Sequence, residues 1–365
     1  MKKISQWPFI RRAGWAGLLL LAACDPELGD GPTLGEWLIP SSQVFDGGPG
    51  KDGIPALSNP LFTTVAEVDY LAPDDLVVGY RVGDVIKAYP HPILDWHEIA
   101  NDAVDGQAVA ITYCPLTGSA LAWSRVINGV TTTFGVSGKL YNNNLMPYDR
   151  ETDSNWSQMR MDCVQGKSIG TLAEVFQVIE TTWQTWQTLY PGSQIMSNNT
   201  GVYSAAQYAN YPYGSYRTDT RILFPLPSGS IDNRLHVKER LAGVVADNKV
   251  RVYRRDSFAD SVRVVHDSFG GDSLVVVGSQ ADNIMMIFKR RLQNGTLLSF
   301  SAVQGQLPGI MLDNEGTTWD VLGRGIAGPR SGQQLSYPVT FIAYWFAWTS
   351  FYPGAEIFEF ADSGS

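Results

Sequence analysis

The sequence predicts a mainly β (α+β) protein of two tandem copies of one strand- and hairpin-rich unit. Each copy ends in a short Trp-containing helix, and the two pack with pseudo-twofold symmetry. Three observations predict this. Short apolar, β-branched runs such as 108–113 are bounded by Pro, Gly and Asn-Gly. A set of residues recurs at a spacing of about 162 to 167 along the chain. A Trp pair at i, i+3, followed by Tyr-Pro-Gly, closes each copy.

Residues 1–23 read as a leader. Lys2, Lys3, Arg11 and Arg12 form a basic start, and 16–23 is an apolar run too short to span a bilayer. Leu21-Ala22-Ala23-Cys24 resembles a bacterial lipobox, which implies cleavage before Cys24 and lipidation of its thiol and new amine. Several acyl chains would anchor the protein stably, whereas one alone is marginal. Asp25 resembles an inner-membrane retention signal, so the expected location is the periplasmic face of the inner membrane. Losing the four basic leader residues takes the net charge from −9 to −13. An acidic chain with no Lys/Arg block argues against nucleic acid or anionic lipid as a partner of the folded part. Residues 24–60, rich in Gly, Pro, Asp and Ser, read as a tether from the lipidated Cys.

The first copy is expected over 61–203, a connector over 204–240 and the second copy over 241–365. Lys87 and Tyr89 answer to Arg251 and Tyr253, Arg125 to Arg291, Phe134 to Phe300, Asp149 and Trp156 to Asp313 and Trp319. Strand 108–113 is stopped by Pro115, which has no amide hydrogen, and Gly118 can take positive φ in the turn. A second strand over 119–126 leads to Asn128-Gly129, a two-residue hairpin signal, and 131–136 returns. Thr181 or Thr182 can cap a helix running through Gln187, with Trp183 and Trp186 on its core face; Trp345 and Trp348 match them.

Cys114 sits where a strand breaks into that turn, and Gln280 stands near its place in the second copy, which contains no Cys. Any thiol chemistry is therefore expected in the first copy. A neighbouring imidazolium would lower a thiol pKa, and His97, with Glu98, Asn101 and Asp102 close in sequence, is the better partner; His91 lies next to Pro90 and Pro92. Tyr113, Thr117, Asp149 and Arg150 are candidate ligand-binding residues around the same strand ends. Asp149 has its counterpart in Asp313, which favours a structural role. A Cys114–Cys163 disulfide is the competing account of the two thiols left after lipidation. No phosphate loop, His-Glu-x-x-His or Gly-x-Ser-x-Gly motif occurs, and no Gly-x-Gly-x-x-Gly is read after a strand.

Several runs resemble the bacterial domain of unknown function 3179 family. They are His97-Glu98-Ile-Ala-Asn101-Asp102, Thr112-Tyr113-Cys114-Pro115-Leu116, Phe134-Gly135-Val136-Ser137-Gly138 and the stretch from Tyr148 to Gln158. The resemblance implies a secreted or membrane-anchored bacterial protein with no established activity. Many members resemble Cys-Pro-Leu-Cys where this chain has Thr117, a departure that argues against a vicinal-dithiol mechanism.

The leading expectation is an anchored periplasmic protein that binds a small ligand, or copper or zinc, through Cys114 and His97 in the first copy. The alternatives are an acyl-transferring enzyme with Cys114 as nucleophile, His97 as base and Glu98 or Asp102 orienting it, and a structural or partner-binding scaffold.

Overall fold

The computed structural model describes residues 35–360. The leader, Cys24 and residues up to 34 lie outside the described residues.

Chain order begins with an arm. β1 (Val44–Asp46) pairs with a later strand at Val44↔Tyr141, and β2 (Leu57–Ser58) joins another at Leu57↔Ala100. The 37–58 stretch expected as a tether is thus knitted into the first half by backbone hydrogen bonds. β3 (Phe62–Thr64) follows, then the hairpin of β4 (Leu76–Val82) and β5 (Val85–Pro90), then α1 (His91–His97). β6 (Ile99–Val104), β7 (Gln107–Cys114) and β8 (Ser119–Ser124) form an antiparallel meander.

The Asn128-Gly129 turn forms, with both residues at positive φ as a type I′ hairpin requires, but it joins only β9 (Val126–Ile127) to β10 (Val130–Thr131). The expected 119–126 strand stops at Ser124 because Arg125 turns the chain. Its guanidinium donates to the carbonyls of Thr132 and Asp102. β11 (Phe134–Tyr141), β12 (Asn144–Asp149), β13 (Asn155–Ser157) and β14 (Asp162–Gln165) form the next sheet with β1. β15 (Val175–Phe176) pairs with β8, and β16 (Ile179–Thr182) with β4. α2 (Trp183–Leu189) starts where the Thr182 hydroxyl accepts from the Thr185 amide at 3.2 Å. β17 (Gln194–Met196) then runs parallel to β5, and α3 (Ala205–Tyr208) opens the connector.

The second half lays down β18 (Arg240–Ala246), β19 (Lys249–Arg254), β20 (Arg263–Phe269), β21 (Asp272–Ser279) and β22 (Ile284–Lys289). A small sheet of β23 (Phe300–Ala302), β24 (Gly309–Asp313), β25 (Thr318–Asp320) and β26 (Gly325–Ala327) follows. β27 (Val339–Tyr344), α4 (Trp345–Phe351) and β28 (Glu356–Ile357) complete it.

The sheet orders β16-β4-β5-β17 and β27-β18-β19-β28 coincide, down to the parallel last pair. β16 lies against β22 while β27 lies against β8, so each half presses a sheet edge onto the meander of the other. Matching side chains make matching bonds. Trp156 Nε1 donates to Asp149 and Trp319 Nε1 to Asp313, each at 2.9 Å. A Cβ at Gly79 would lie 2.1 Å from the Trp186 ring and one at Gly243 would lie 2.5 Å from Trp348, so in both halves glycine lets the helix indole sit on the sheet. The ladders also shift two expected matches by one residue. Arg290, not Arg291, repeats the backbone and side-chain bonds of Arg125. The β7–β8 and β21–β22 registers set Ser279, not Gln280, at the place of Cys114.

Candidate functional site

The site is built where α1 ends. After His97 the chain leaves the helix through Glu98, whose φ of 56° and ψ of −28° are left-handed, an uncommon state for a residue with a long side chain. Two backbone bonds hold it: the Glu98 amide donates to Leu94 O at 2.7 Å, and Glu98 O accepts from the Tyr113 amide at 2.6 Å. This turn swings the Glu98 carboxyl into a cavity of about 340 Å³. The floor is Leu116 of the β7–β8 turn with Val136 and Leu145 of β11 and β12. The roof is the connector, through Tyr213 and Phe224.

Glu98 is 5 % exposed, and its protein partner is the Tyr213 hydroxyl, which donates to Oε1 at 3.3 Å. Among the described residues no hydrogen bond or ion pair engages Oε2. Burial drives the carboxyl up to about 8, with Tyr213 pulling the other way and Asp95 adding to the rise. Glu98 therefore holds its proton at neutral pH and presents an O–H.

One helical turn earlier, Asp95 also faces the cavity. Both its oxygens accept from Arg217 Nη2, at 2.6 and 2.7 Å. Arg217 is further placed over the Tyr211 ring at 4.0 Å and within 3.3 Å of the Tyr113 hydroxyl. Burial raises Asp95 to about 7 against the pull of Arg217. Behind them His91 lies 2.9 Å from Glu180 and 4.3 Å from the Tyr113 ring. The contact to Glu180 is not an aligned hydrogen bond, and neither imidazole nitrogen has a hydrogen-bond partner. Burial, which outweighs Glu180, lowers His91 to about 4 and keeps it neutral.

The expected Cys114–His97 pair is not formed. His97 Nδ1 donates to Pro55 O and Nε2 accepts from the Tyr208 hydroxyl, both at 2.6 Å, so the ring braces α1 against the arm and the connector. Cys114 is 1 % exposed, one layer behind the cavity wall. Its Sγ accepts from the Leu145 amide at 3.3 Å and lies 3.6 Å from Asn143 O. Burial, with Glu98 adding to it, pushes the thiol up to about 11, so at pH 7 only roughly one molecule in ten thousand carries a thiolate. This does not fit a nucleophile or a soft-metal ligand. Among the described residues no group of three His, Cys, Asp or Glu is arranged to hold a metal ion, which leaves the copper or zinc expectation without a ligand set. Cys114 and Cys163 are both free thiols, so the disulfide is absent as well.

The remaining expected residues are held by partners within the protein. Asp102 accepts from Lys87 Nζ at 2.8 Å and the Tyr89 hydroxyl at 2.7 Å, facing away from His97. Arg251, Tyr253 and Asp267 repeat that triad. Thr117 belongs to a buried network with Ser119, Asn144 and Gln158. Asp149 accepts from Trp156 and from the Thr152 amide, closing a turn, and Arg150 fastens the arm through Asp52. Tyr113 alone of the four candidate ligand residues reaches the carboxyl cluster.

Sequence reasoning missed Asp95, Arg217 and Tyr213. A signal existed: Asp95 and Glu98 are spaced i, i+3, and the connector is dense in tyrosine.

A larger cleft of about 480 Å³ lies between the β4–β5 hairpin and the second half. Its Arg81 and Arg324 are already paired with Asp320 and Asp84. The smaller cavity is the better candidate because it is lined by a buried carboxyl that Tyr213 engages at 3.3 Å and no basic residue pairs with.

A family model described as a protein of unknown function, DUF3179, matches residues 51–355. The chain belongs to the DUF3179 family. Neither a curated protein nor a solved structure matches it. The match runs from the arm through both halves, so the connector that roofs the cavity is part of the DUF3179 unit. Three of the motif stretches, those around His97-Glu98, Cys114-Pro115-Leu116 and Phe134 to Gly138, meet at this one cavity. Gly138 is needed there: its φ is +77°, and a Cβ would lie 2.5 Å from the Gly50 backbone.

Proposed function

We propose that this DUF3179 protein is a small-ligand-binding protein of the bacterial cell envelope. The first half carries the binding cavity, and the second half, an internal duplicate that has lost it, serves as scaffold. The observation that carries this reading is Glu98: a residue in a strained left-handed conformation that turns its buried carboxyl to a cavity, where a 3.3 Å bond from Tyr213 is its protein contact and no basic residue pairs with it. Such a group costs stability, and a ligand that completes its hydrogen bonding offsets the cost. The second half supports the assignment, because the register that matches Asp267 to Asp102 sets Arg263 where the first half has Glu98, and Arg255 follows Tyr253 as His91 follows Tyr89. At about 340 Å³ the cavity suits a metabolite-sized molecule with an apolar body and one polar end.

Leu116 lies on a turn and lines the cavity, so Leu116→Trp fills it without cutting a strand. A compound that raises the melting temperature of the natural chain is expected to leave this variant unmoved. Equal stabilisation of both would put the binding elsewhere. For the envelope, we propose that residues 1–23 are removed and Cys24 is acylated. Labelling cells with an alkynyl fatty acid is expected to tag the natural chain and not Cys24→Ala; equal labelling of the two would contradict it.

A further inference from the structure

Resting on the cavity as the ligand site, we propose that its ligand is an organic amine, bound as an ammonium between the Glu98 carboxylate and the aromatic side chains of Trp96, Tyr203 and Tyr213. Four aromatic side chains, these three and Phe224, line the cavity together with Glu98 and Asp95. Ring faces attract cations through their quadrupoles, and the attraction grows where water is excluded. A carboxylate in such a box supplies a charge-assisted hydrogen bond that a neutral ligand does not form.

The charges around the cavity select the sign of the ligand. Asp95 on α1 is satisfied by Arg217, which neutralises that pair. Tyr213 donates to Glu98 from the connector, Tyr211 lies under Arg217, and the Cys114 thiol on β7 stays neutral. Lys139 on β11 is the basic side chain at the rim. Glu98 is thus the carboxyl of the cavity left without a basic partner, free to ionise against a bound cation. An anion would have to face Asp95 and Glu98, with Lys139 as its counter-charge.

Binding an ammonium to a cavity whose Glu98 is protonated exchanges one cation for another. The ligand enters as R–NH3+, the carboxyl O–H bond breaks, the proton leaves to buffer, and the carboxylate keeps the electron pair. The overall charge is unchanged. Affinity for the amine is then expected to rise with pH by up to about tenfold per unit until Glu98 ionises on its own.

Benzylamine, benzyl alcohol and benzoate share one skeleton and differ in the charge of the polar end. Calorimetric titration of the full chain with each, at pH 7.5 in two buffers of different ionisation enthalpy, reads both affinity and proton release. We expect benzylamine to bind at least about tenfold tighter than the other two, to release roughly three-quarters of a proton, and to lose about a hundredfold in Glu98→Gln. If benzyl alcohol or benzoate binds as tightly, and Leu116→Trp abolishes it, the cavity remains the ligand site and the amine assignment falls. If none of the three binds at millimolar concentration, both fall.

Discussion

Asp102→Ala is expected to cost about 3 to 5 kcal/mol of folding stability, because it leaves the Lys87 ammonium in the interior with the Ala103 carbonyl but no counter-charge, and the Tyr89 hydroxyl without its acceptor. Lys87 is 8 % exposed and Asp102 5 %, so water cannot replace the lost carboxylate. Asp267→Ala removes the same two bonds in the second half, but Arg251 keeps its second partner Glu356 and the site is wetter. The expected loss there is about 1 to 2 kcal/mol. Urea unfolding of the two variants measures the contrast. A small loss for Asp102→Ala would mean that Lys87 finds another acceptor and that the triad does not hold the β5–β6 corner.

Glu98→Gln is expected to stabilise the protein, and only at higher pH. In the fold the Glu98 carboxyl keeps its proton up to about 8; in the unfolded chain it loses it near 4.5. Between those values the folded state binds more protons, so the carboxyl's contribution is fully present below about 4.5, falls as pH rises through the window and levels off above 8. An amide in its place does not ionise and can still accept from Tyr213. The variant should match the natural chain at pH 4 and exceed it by on the order of 3 to 5 kcal/mol at pH 9. Asp95 titrates in the same direction but is present in both proteins, so the difference isolates Glu98. Melting temperatures across pH 4 to 9 test this. Parallel curves would mean that Glu98 is ionised, and therefore partnered, throughout.

Both effects concern residues that the sequence groups with His97, and the fold separates all three. Sequence neighbours on a helix end and a strand diverge: the left-handed turn at Glu98 sends its side chain into the cavity, His97 faces Pro55 and Tyr208, and Asp102 lies four residues along β6 with Lys87. Local signals were readable where local physics decides. The β7 strand, the Pro115–Gly118 turn, the Asn128-Gly129 hairpin and the Thr182 cap all depend on residues a few positions apart. The matching Asp–Trp bonds were foreshadowed by Asp149, Trp156 and their later counterparts. The cavity was not readable, because it needs the connector to fold back across α1. Arg217 reaches Asp95 over 122 positions and Tyr213 reaches Glu98 over 115, and no periodicity encodes such a return. The strand-end position of Cys114 suggested access, but Leu145 of β12 caps the sulfur and closes that route.

The most direct test of the central claim, that the first-half cavity is where this protein takes its ligand, is methyl NMR on Ile-, Leu- and Val-labelled protein titrated with a set of small organic compounds. The account predicts that any compound that binds shifts the methyls of Leu116, Val136 and Leu145 and leaves those of Val82 and Leu322, which line the cleft between the halves, in place. Shifts confined to Val82 and Leu322 would contradict it.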